Sequence, residues 1–268
     1  MHSNGLCALV TGASMGIGKA IAFILAEQGY AVVCAARTTA KVEDTAAQIK
    51  EKGGRAIAVT ADVARINDVQ RMVDEAIRAF GTINVLINNA GGPLAGVLSP
   101  SPKSQDEFFS LMQRFMFSTV SDADWKKIFE TNFFGVYNCT RAVLPIMLEN
   151  NSGTIINITS KAGKIKTPVV PGMSAYATAK AAVARFTEVL AFELSCMGSA
   201  VRINAISPGM VAVSYHENLP PEERAMFRKP EEIQDILLRI LNDASINGEV
   251  FSSETMTTWY QELREGNE

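Results

Sequence analysis

Short, unbroken apolar runs recur along this chain, each separated from the next by a stretch with helical spacing. No other feature restricts the fold as strongly. Residues 6–10, 31–35, 56–61, 83–87, 154–159, 201–206 and the short 249–251 read as strands. Helical patterns fill the intervals at 17–28, 41–52, 66–80, 122–149, 176–197 and 230–241, and Gly29, Gly53-Gly54 and Gly81 stand where the first three must stop. Strands apolar on both faces, joined by helices long enough for crossovers, imply βαβ units and a parallel sheet covered on both sides. The expected fold is α/β: a doubly wound parallel sheet of about seven strands with helices on both faces. No linker, repeat or low-complexity segment interrupts residues 1–268, which read as a single domain.

Composition removes several functional classes. Lys plus Arg number 25 and Asp plus Glu 28, for a formal charge of −3. A chain that neutralises phosphodiester backbone carries a basic excess, so no nucleic-acid partner is expected, and no polybasic membrane contact either. Cys7, Cys34, Cys139 and Cys196 are scattered without a CxxC, beside only two histidines. That pattern holds neither a zinc site nor a disulfide framework and fits reduced thiols in the cytoplasm. Met1-His2-Ser3-Asn4-Gly5 lacks the charged flank and cleavage site of a signal peptide. No run approaches the roughly 18 apolar residues of a membrane span, so a soluble cytoplasmic protein is expected.

Thr11-Gly12-Ala13-Ser14-Met15-Gly16-Ile17-Gly18 links the first strand to the first helix. Such a turn needs Gly12 for its tightness, Gly16 for close approach of a pyrophosphate, and Gly18 for helix–strand packing. The helix N-terminus adds free N–H groups and partial positive charge. The context is that of a Rossmann-like dinucleotide site. The second strand bears on which nucleotide. A ribose diol needs an acid about 20 residues beyond the glycines, but the strand ends Cys34-Ala35-Ala36-Arg37-Thr38, with no acid before Glu43. Arg37 offers a planar fork suited to a 2′-phosphate, so NADP(H) is favoured over NAD(H). A solvated loop cation is the plainer reading of the same residue.

Tyr176-Ala177-Thr178-Ala179-Lys180 puts a phenol and an ammonium one turn apart on one helix face. A free phenol has a pKa of about 10. A Lys cation beside it, joined by an oxidised nicotinamide, is expected to pull that value down. The Tyr then gives a proton to a ketone or takes one from an alcohol. Helices also carry such pairs for structural reasons alone, so the pair gains meaning from its company. The glycine turn, Asn88-Asn89-Ala90-Gly91 after the fourth strand, Ser160 after the fifth, Tyr176 with Lys180, and Ser207-Pro208-Gly209 after the sixth occur in one order. Together they resemble the classical short-chain dehydrogenase/reductase family, over about residues 6–251.

The resemblance implies roles. Tyr176 is the general acid/base, Lys180 lowers its pKa and binds the nicotinamide ribose, and Ser160 hydrogen-bonds the substrate oxygen. Asn132, in Thr131-Asn132-Phe133, matches the Asn that supports a water-mediated proton relay; a buried amide satisfied by backbone is the alternative. Gly12, Ser14, Gly16, Ile17, Gly18, Arg37 and Thr38 fall on the cofactor side. Asp62 and Val63 match adenine contacts, and Asn89, Ala90 and Gly91 lie beside the adenosine ribose and pyrophosphate. Pro208, Gly209 and Val211 flank the nicotinamide. The implied activity is that of an NADP(H)-dependent oxidoreductase interconverting a ketone and a secondary alcohol on a mostly apolar small molecule, of the carbonyl reductase or 3-oxoacyl reductase type, acting as a homodimer or homotetramer. An NAD-linked alcohol dehydrogenase and a non-catalytic nucleotide-binding regulator are the rival readings.

Departures from the family pattern mark where that reading is exposed. Ser160 and Tyr176 are 16 residues apart, a few more than usual. If the extra loop displaces Ser160, Thr159 is the next hydroxyl. Val213 stands where the family commonly has a Thr, with Ser214 adjacent. Ser252-Ser253-Glu254-Thr255 replaces the usual ending, so the tail 252–268 is divergent. Residues 93–120 form an extra helical insertion. Its Phe108, Phe109, Met112, Phe115 and Met116 are expected to pack onto the body, and Phe108, Phe115 or Met116 alternatively roofs an apolar pocket. Tyr215, His216 and Phe227 belong to the loop where family specificity resides. Lys161, Lys164 and Lys166 read as a solvated loop, or else as groups that steer an anionic substrate.

Overall fold

The computed structural model describes residues 5–95, 97, 105–164, 169, 171–211 and 227–252. Seven parallel strands form one sheet: β1 (Cys7–Thr11), β2 (Ala31–Ala36), β3 (Arg55–Thr60), β4 (Val85–Asn88), β5 (Gly153–Ile158), β6 (Val201–Ser207) and β7 (Val250–Ser252), in spatial order β3-β2-β1-β4-β5-β6-β7. Val10 is in register with Cys34 on one side and Ile87 on the other, and Ile158 with Ile206. Strand order reverses between β1 and β4. In an open α/β sheet the ligand crevice lies outside the carboxyl ends of the strands at that reversal.

Helices α1 (Gly16–Glu27), α2 (Thr39–Glu51), α3 (Ile66–Phe80), α4 (Gln105–Arg114), α5 (Asp122–Phe129), α6 (Gly135–Glu149), α7 (Ser174–Cys196) and α8 (Gln234–Asn242) cover it. Because side chains alternate along a strand, one sheet face presents Ala8, Val10, Val32, Cys34 and Ile156 to Ile21, Leu25, Ile49 and Leu237. The other presents Leu9, Val33, Ile155 and Ile203 to Met72, Cys139, Met147 and Leu194. Both faces are buried, as unbroken apolar strands require.

Two features depart from the sequence pattern. The region 122–149 is not one regular helix: α5 passes through a π-helical turn, Glu130–Phe134, before α6 begins. The helical turn Pro230–Ile233 ahead of α8 is 3₁₀, with the Glu232 carboxylate accepting from the Lys229 N–H at 2.9 Å. Ser121 caps α5 as its position suggests, accepting from the Asp124 N–H at 3.1 Å. The inner face of the insertion packs onto the body: Met112 and Phe115 are buried with Leu94, Ile128 and Ala175.

The glycine turn is held by packing as much as by hydrogen bonds. A Cβ on Gly18 would collide with the Gly12 carbonyl oxygen and the Asn89 amide nitrogen. Gly18→Ala is therefore expected to lower the unfolding free energy by about 3 kcal/mol, measured by urea titration of the two proteins side by side.

Candidate active site

At the carboxyl end of β1, Gly12 and Gly16 adopt left-handed backbone, with φ of 67° and 54°. No side chain caps α1, so its first N–H groups remain available to an anion. The turn is fixed from β4. Thr11 Oγ1 donates to the Ile87 carbonyl (3.1 Å) and accepts from the N–H groups of Asn89 (3.0 Å) and Ala90 (3.1 Å). Asn89 Nδ2 in turn donates to the carbonyls of Thr11 (2.9 Å) and Gly12 (3.2 Å). Its amide thus shapes the cradle from behind. The cradle, with open space where a Gly16 side chain would stand, fits a dinucleotide pyrophosphate.

Toward the adenosine end, Arg37 is exposed just past β2, and Thr38 precedes α2 without capping it through its side chain. Asp62 folds back on its own loop, one oxygen accepting from the Ala64 N–H at 3.0 Å. Val63 is buried, and a side chain on Gly135 would meet its Cγ2 at 2.5 Å.

The opposite end holds the titratable cluster. Tyr176 and Lys180 sit one turn apart on α7, the ammonium 5.8 Å from the centre of the phenol ring. Lys180 is only 3% exposed, and its Nζ donates to the Ile158 carbonyl at 2.8 Å. Burial pushes its pKa down from 10.5 to about 8. The same burial raises the Tyr176 phenol above its ordinary value, with the nearby Ser160 hydroxyl acting in the lowering direction. The expected lowering by the Lys cation together with an oxidised nicotinamide belongs to the cofactor-bound state; in the protein alone burial disfavours each charged form, and the ammonium itself is weakened.

Gly91 lies where a side chain would strike Asn132 Oδ1 and approach Lys180 Nζ to 3.4 Å. Asn132 Oδ1 accepts from the Gly92 N–H at 2.9 Å, and its Nδ2 donates to the carbonyls of Gly92 (3.0 Å) and Ile128 (2.9 Å). The amide group is wholly engaged with backbone, locking the β4 loop to the π-helical turn. Ser160, Tyr176, Lys180 and Asn132 therefore converge on one place.

The longer Ser160–Tyr176 spacing does not displace Ser160. The 3₁₀ turn Lys161–Gly163 that follows it is pressed against α7, where a Gly163 side chain would lie 2.6 Å from the Ala181 nitrogen. Ser160 Oγ accepts from the Ala162 N–H at 3.2 Å, which orients the hydroxyl. Thr159 shares the strand face of Asn157, toward α6 and α7, and its hydroxyl is buried without a partner. It does not take Ser160's place. After β6, Pro208, Gly209 and Val211 are half-buried, and Val211 pairs with Arg228 in an isolated parallel bridge. Val213, Ser214, Tyr215, His216, Lys166, the tail from 253 onward and the Phe108 and Phe109 side chains lie outside the described residues. Met116 is 43% exposed, while Phe115 is buried with Met112, Ile128 and Ala175 in the cluster against which Tyr176 packs.

Sequence reading missed two supports. Asn88 Nδ2 donates to Thr140 Oγ1 (3.1 Å) and Asn157 Oδ1 (2.9 Å), and Asn157 Nδ2 to Thr187 Oγ1 (2.9 Å), tying β4, β5, α6 and α7 together. An amide inside an apolar strand signals such a network, because a buried amide demands partners. The second is Trp125, whose Nε1 donates to Ser174 Oγ at 3.2 Å, at the first turn of α7.

Comparison with known proteins agrees with this arrangement. The model of a family described as short chain dehydrogenase matches residues 6–224. The chain belongs to that family. It is 37% identical over 255 residues to the 3-oxoacyl-[acyl-carrier-protein] reductase of Synechocystis sp., covering 91% of this chain and 94% of that protein. Against the (2S)-[(R)-hydroxy(phenyl)methyl]succinyl-CoA dehydrogenase subunit BbsD of Thauera aromatica the identity is 33%, covering 91% and 92%. A solved 7α-hydroxysteroid dehydrogenase, complexed with NADH and 7-oxo glycochenodeoxycholic acid, superposes with a TM-score of 0.76 at 28% identity, covering 94% of each chain. This short-chain dehydrogenase is thus an oxidoreductase acting on CH–OH and C=O groups with a nicotinamide cofactor.

The Lys180 site makes stability depend on pH. Its folded pKa lies below the unfolded value, so between about pH 8 and 10.5 the unfolded chain holds more protons and stability rises with pH. From pH 7 to 10.5 the wild type should gain about 3 kcal/mol relative to Lys180→Met, measured by denaturant unfolding of both proteins at each pH.

Proposed function

We propose that this enzyme, a single catalytic domain over residues 1–268, interconverts a ketone and a secondary alcohol on a mostly apolar small molecule, using NADP(H), in the manner of a carbonyl or 3-oxoacyl reductase. The observation that carries the reading is the convergence of half-buried Ser160 and Tyr176 with the buried Lys180, whose ammonium lies beside Gly91. A bound nicotinamide supplies or accepts the hydride. The protein's residues handle the proton and the geometry.

Tyr176, kept protonated by burial at neutral pH, is suited to donate its proton to a carbonyl oxygen as that oxygen gains charge. Ser160 stands beside the phenol and orients the same oxygen. Lys180, tethered to the Ile158 carbonyl, is aimed past Gly91 toward the cofactor ribose. Asn132 holds the Gly91-Gly92 backbone in place and supports proton resupply from its position on the π-helical turn. Gly12, Ser14, Gly16, Ile17 and Gly18 receive the pyrophosphate, Asp62 and Val63 the adenine, Asn89, Ala90 and Gly91 the adjoining ribose, and Pro208, Gly209 and Val211 the nicotinamide.

NADP(H) is favoured because β2 ends in Ala36 and is followed by an exposed Arg37 and by Thr38, with no acid to receive a ribose diol. The related steroid dehydrogenase was solved with NADH, which makes NAD(H) the second reading.

Among the described residues no helix is long and apolar enough to cross a membrane. Cys7, Cys34 and Cys139 are free, buried and pushed up to about 12, as thiols of a cytoplasmic protein would be. Phe134 at the end of the π-helical turn and Tyr137 on α6, with Val189 and Phe192 on α7, are exposed and suit a homodimer or homotetramer.

Oxidation of NADPH against a panel of ketones, including a 3-oxoacyl thioester, tests the reading. Tyr176→Phe should lower kcat by about a thousandfold without loss of NADPH binding. Arg37→Ala should raise the KM for NADPH about tenfold and leave that for NADH unchanged. Equal turnover by Tyr176→Phe overturns the mechanism, and unchanged NADPH kinetics in Arg37→Ala overturns the cofactor assignment.

A further inference from the structure

Three cations meet at the carboxyl ends of β5, β6 and β7, next to Ser160 and away from the glycine turn. Lys161 opens the 3₁₀ turn directly after Ser160, and that turn is pinned to α7 through Gly163. Lys164 ends it, its Nζ donating to Ser252 Oγ at the end of β7 at 2.7 Å. Arg228 returns from the segment after β6. Its N–H donates to the Met210 carbonyl at 2.8 Å, and its backbone pairs with Val211.

These groups are close enough to act on one another. Lys161 is half-buried, and burial, then Lys164, then Arg228 disfavour its charged form. Among the described residues Glu232 is the carboxylate paired with the group: one oxygen lies 3.6 Å from Arg228 Nε, and the other accepts from the Lys229 N–H. Among the described residues no ion pair involves Lys161 or Lys164, so positive charge remains in excess. Lys161 and Arg228 are half-buried and Lys164 is exposed at their edge, and like charges held near one another cost free energy unless an anion joins them. The phosphates of a dinucleotide do not supply it. The pyrophosphate cradle is at β1, and β6 stands three strands away, about 14 Å at ordinary strand spacing.

We propose that Lys161, Lys164 and Arg228 form a subsite for an anionic group of the substrate, a carboxylate or a phosphate, that docks beside Ser160 while the carbonyl is reduced. The subsite rests on the reading of the protein as a carbonyl reductase, and it adds a charge requirement to a substrate otherwise held by apolar surface. The two lysines lie on the turn that directly follows Ser160, the hydroxyl proposed to orient the reacting oxygen. An anion seated on them therefore sets which carbonyl of a longer molecule reaches Tyr176.

The test compares a 3-oxo carboxylic acid, its methyl ester and its coenzyme A thioester, each with NADPH, on wild type and on Lys161→Gln/Lys164→Gln. NADPH fluorescence titration confirms that the variant is folded. The ratio of the acid's KM to the ester's should rise about tenfold in the variant, and in wild type it should rise with salt. A rise for the thioester alone identifies the anion as a phosphate and also supports the subsite. Ratios unchanged for both acid and thioester overturn it while leaving the carbonyl reductase reading intact. Turnover of none of the three by wild type overturns that reading instead. The subsite is then judged by calorimetric titration with octanoate, where equal affinity of wild type and variant overturns it.

Discussion

A lysine with almost no access to water is the point around which this active site is organised. Lys180 reaches from α7 to the Ile158 carbonyl, the last in β5. That hydrogen bond does two things at once. It offsets part of the cost of burying an ammonium, and it fixes the azimuth of α7 over the sheet, so that Tyr176 one turn earlier faces the crevice. The same burial that weakens the lysine's charge keeps the phenol protonated. Both effects come from one cause, the exclusion of water where β5, α7 and the β4 loop close together.

That closeness depends on what is missing from the chain. Gly91 leaves space between Asn132 and Lys180, Gly163 lets the turn after Ser160 touch the α7 backbone, and Gly12 and Gly18 let α1 approach β1 and Asn89. Each of these close approaches would be lost to a single methyl group, and most join segments far apart in sequence. The amide network from Asn88 through Asn157 to Thr187 works in the opposite sense, supplying polar contacts where apolar packing alone would allow β4 and β5 to slip against α6 and α7. Close approach and fixed register together hold four side chains from three segments in one place.

The sheet was legible in the sequence because its strands are apolar on both faces, a pattern that only doubly covered parallel strands tolerate. Where the reading erred, a side chain had taken a backbone's part. Residues 83 and 84 look like strand, yet β4 starts at Val85: Asn84 Oδ1 accepts from the Cys7 N–H at 2.9 Å and so replaces a ladder bond. The π-helical turn has a similar origin. Asn132 Nδ2 takes the Ile128 carbonyl that an α-helix would offer to the backbone four residues on. A single widened turn leaves no trace in a periodicity averaged over seven turns. The order of glycines, Asn, Ser, Tyr and Lys drew together side chains that lie near one another in the fold, but the direction of the Tyr176 shift is a property of burial. No local pattern encodes it.

The insertion shows how an added element can be tied into such a site without entering it. Gly172 has φ of 88° and lies so close beneath the Met112 carbonyl that a side chain there would collide with it. Two residues on, Ser174 accepts from Trp125, which stacks on Phe129 at 5.5 Å. The start of α7 is thus gripped from α4 on one side and α5 on the other, and Tyr176 is in the turn that follows. Its ring packs against the same cluster that buries Met112, Phe115 and Ala175. A helix that reads in the sequence as an apolar appendage is therefore part of the wall that excludes water from the phenol. The raised pKa of the phenol and the packing of the insertion are tied to the same contacts.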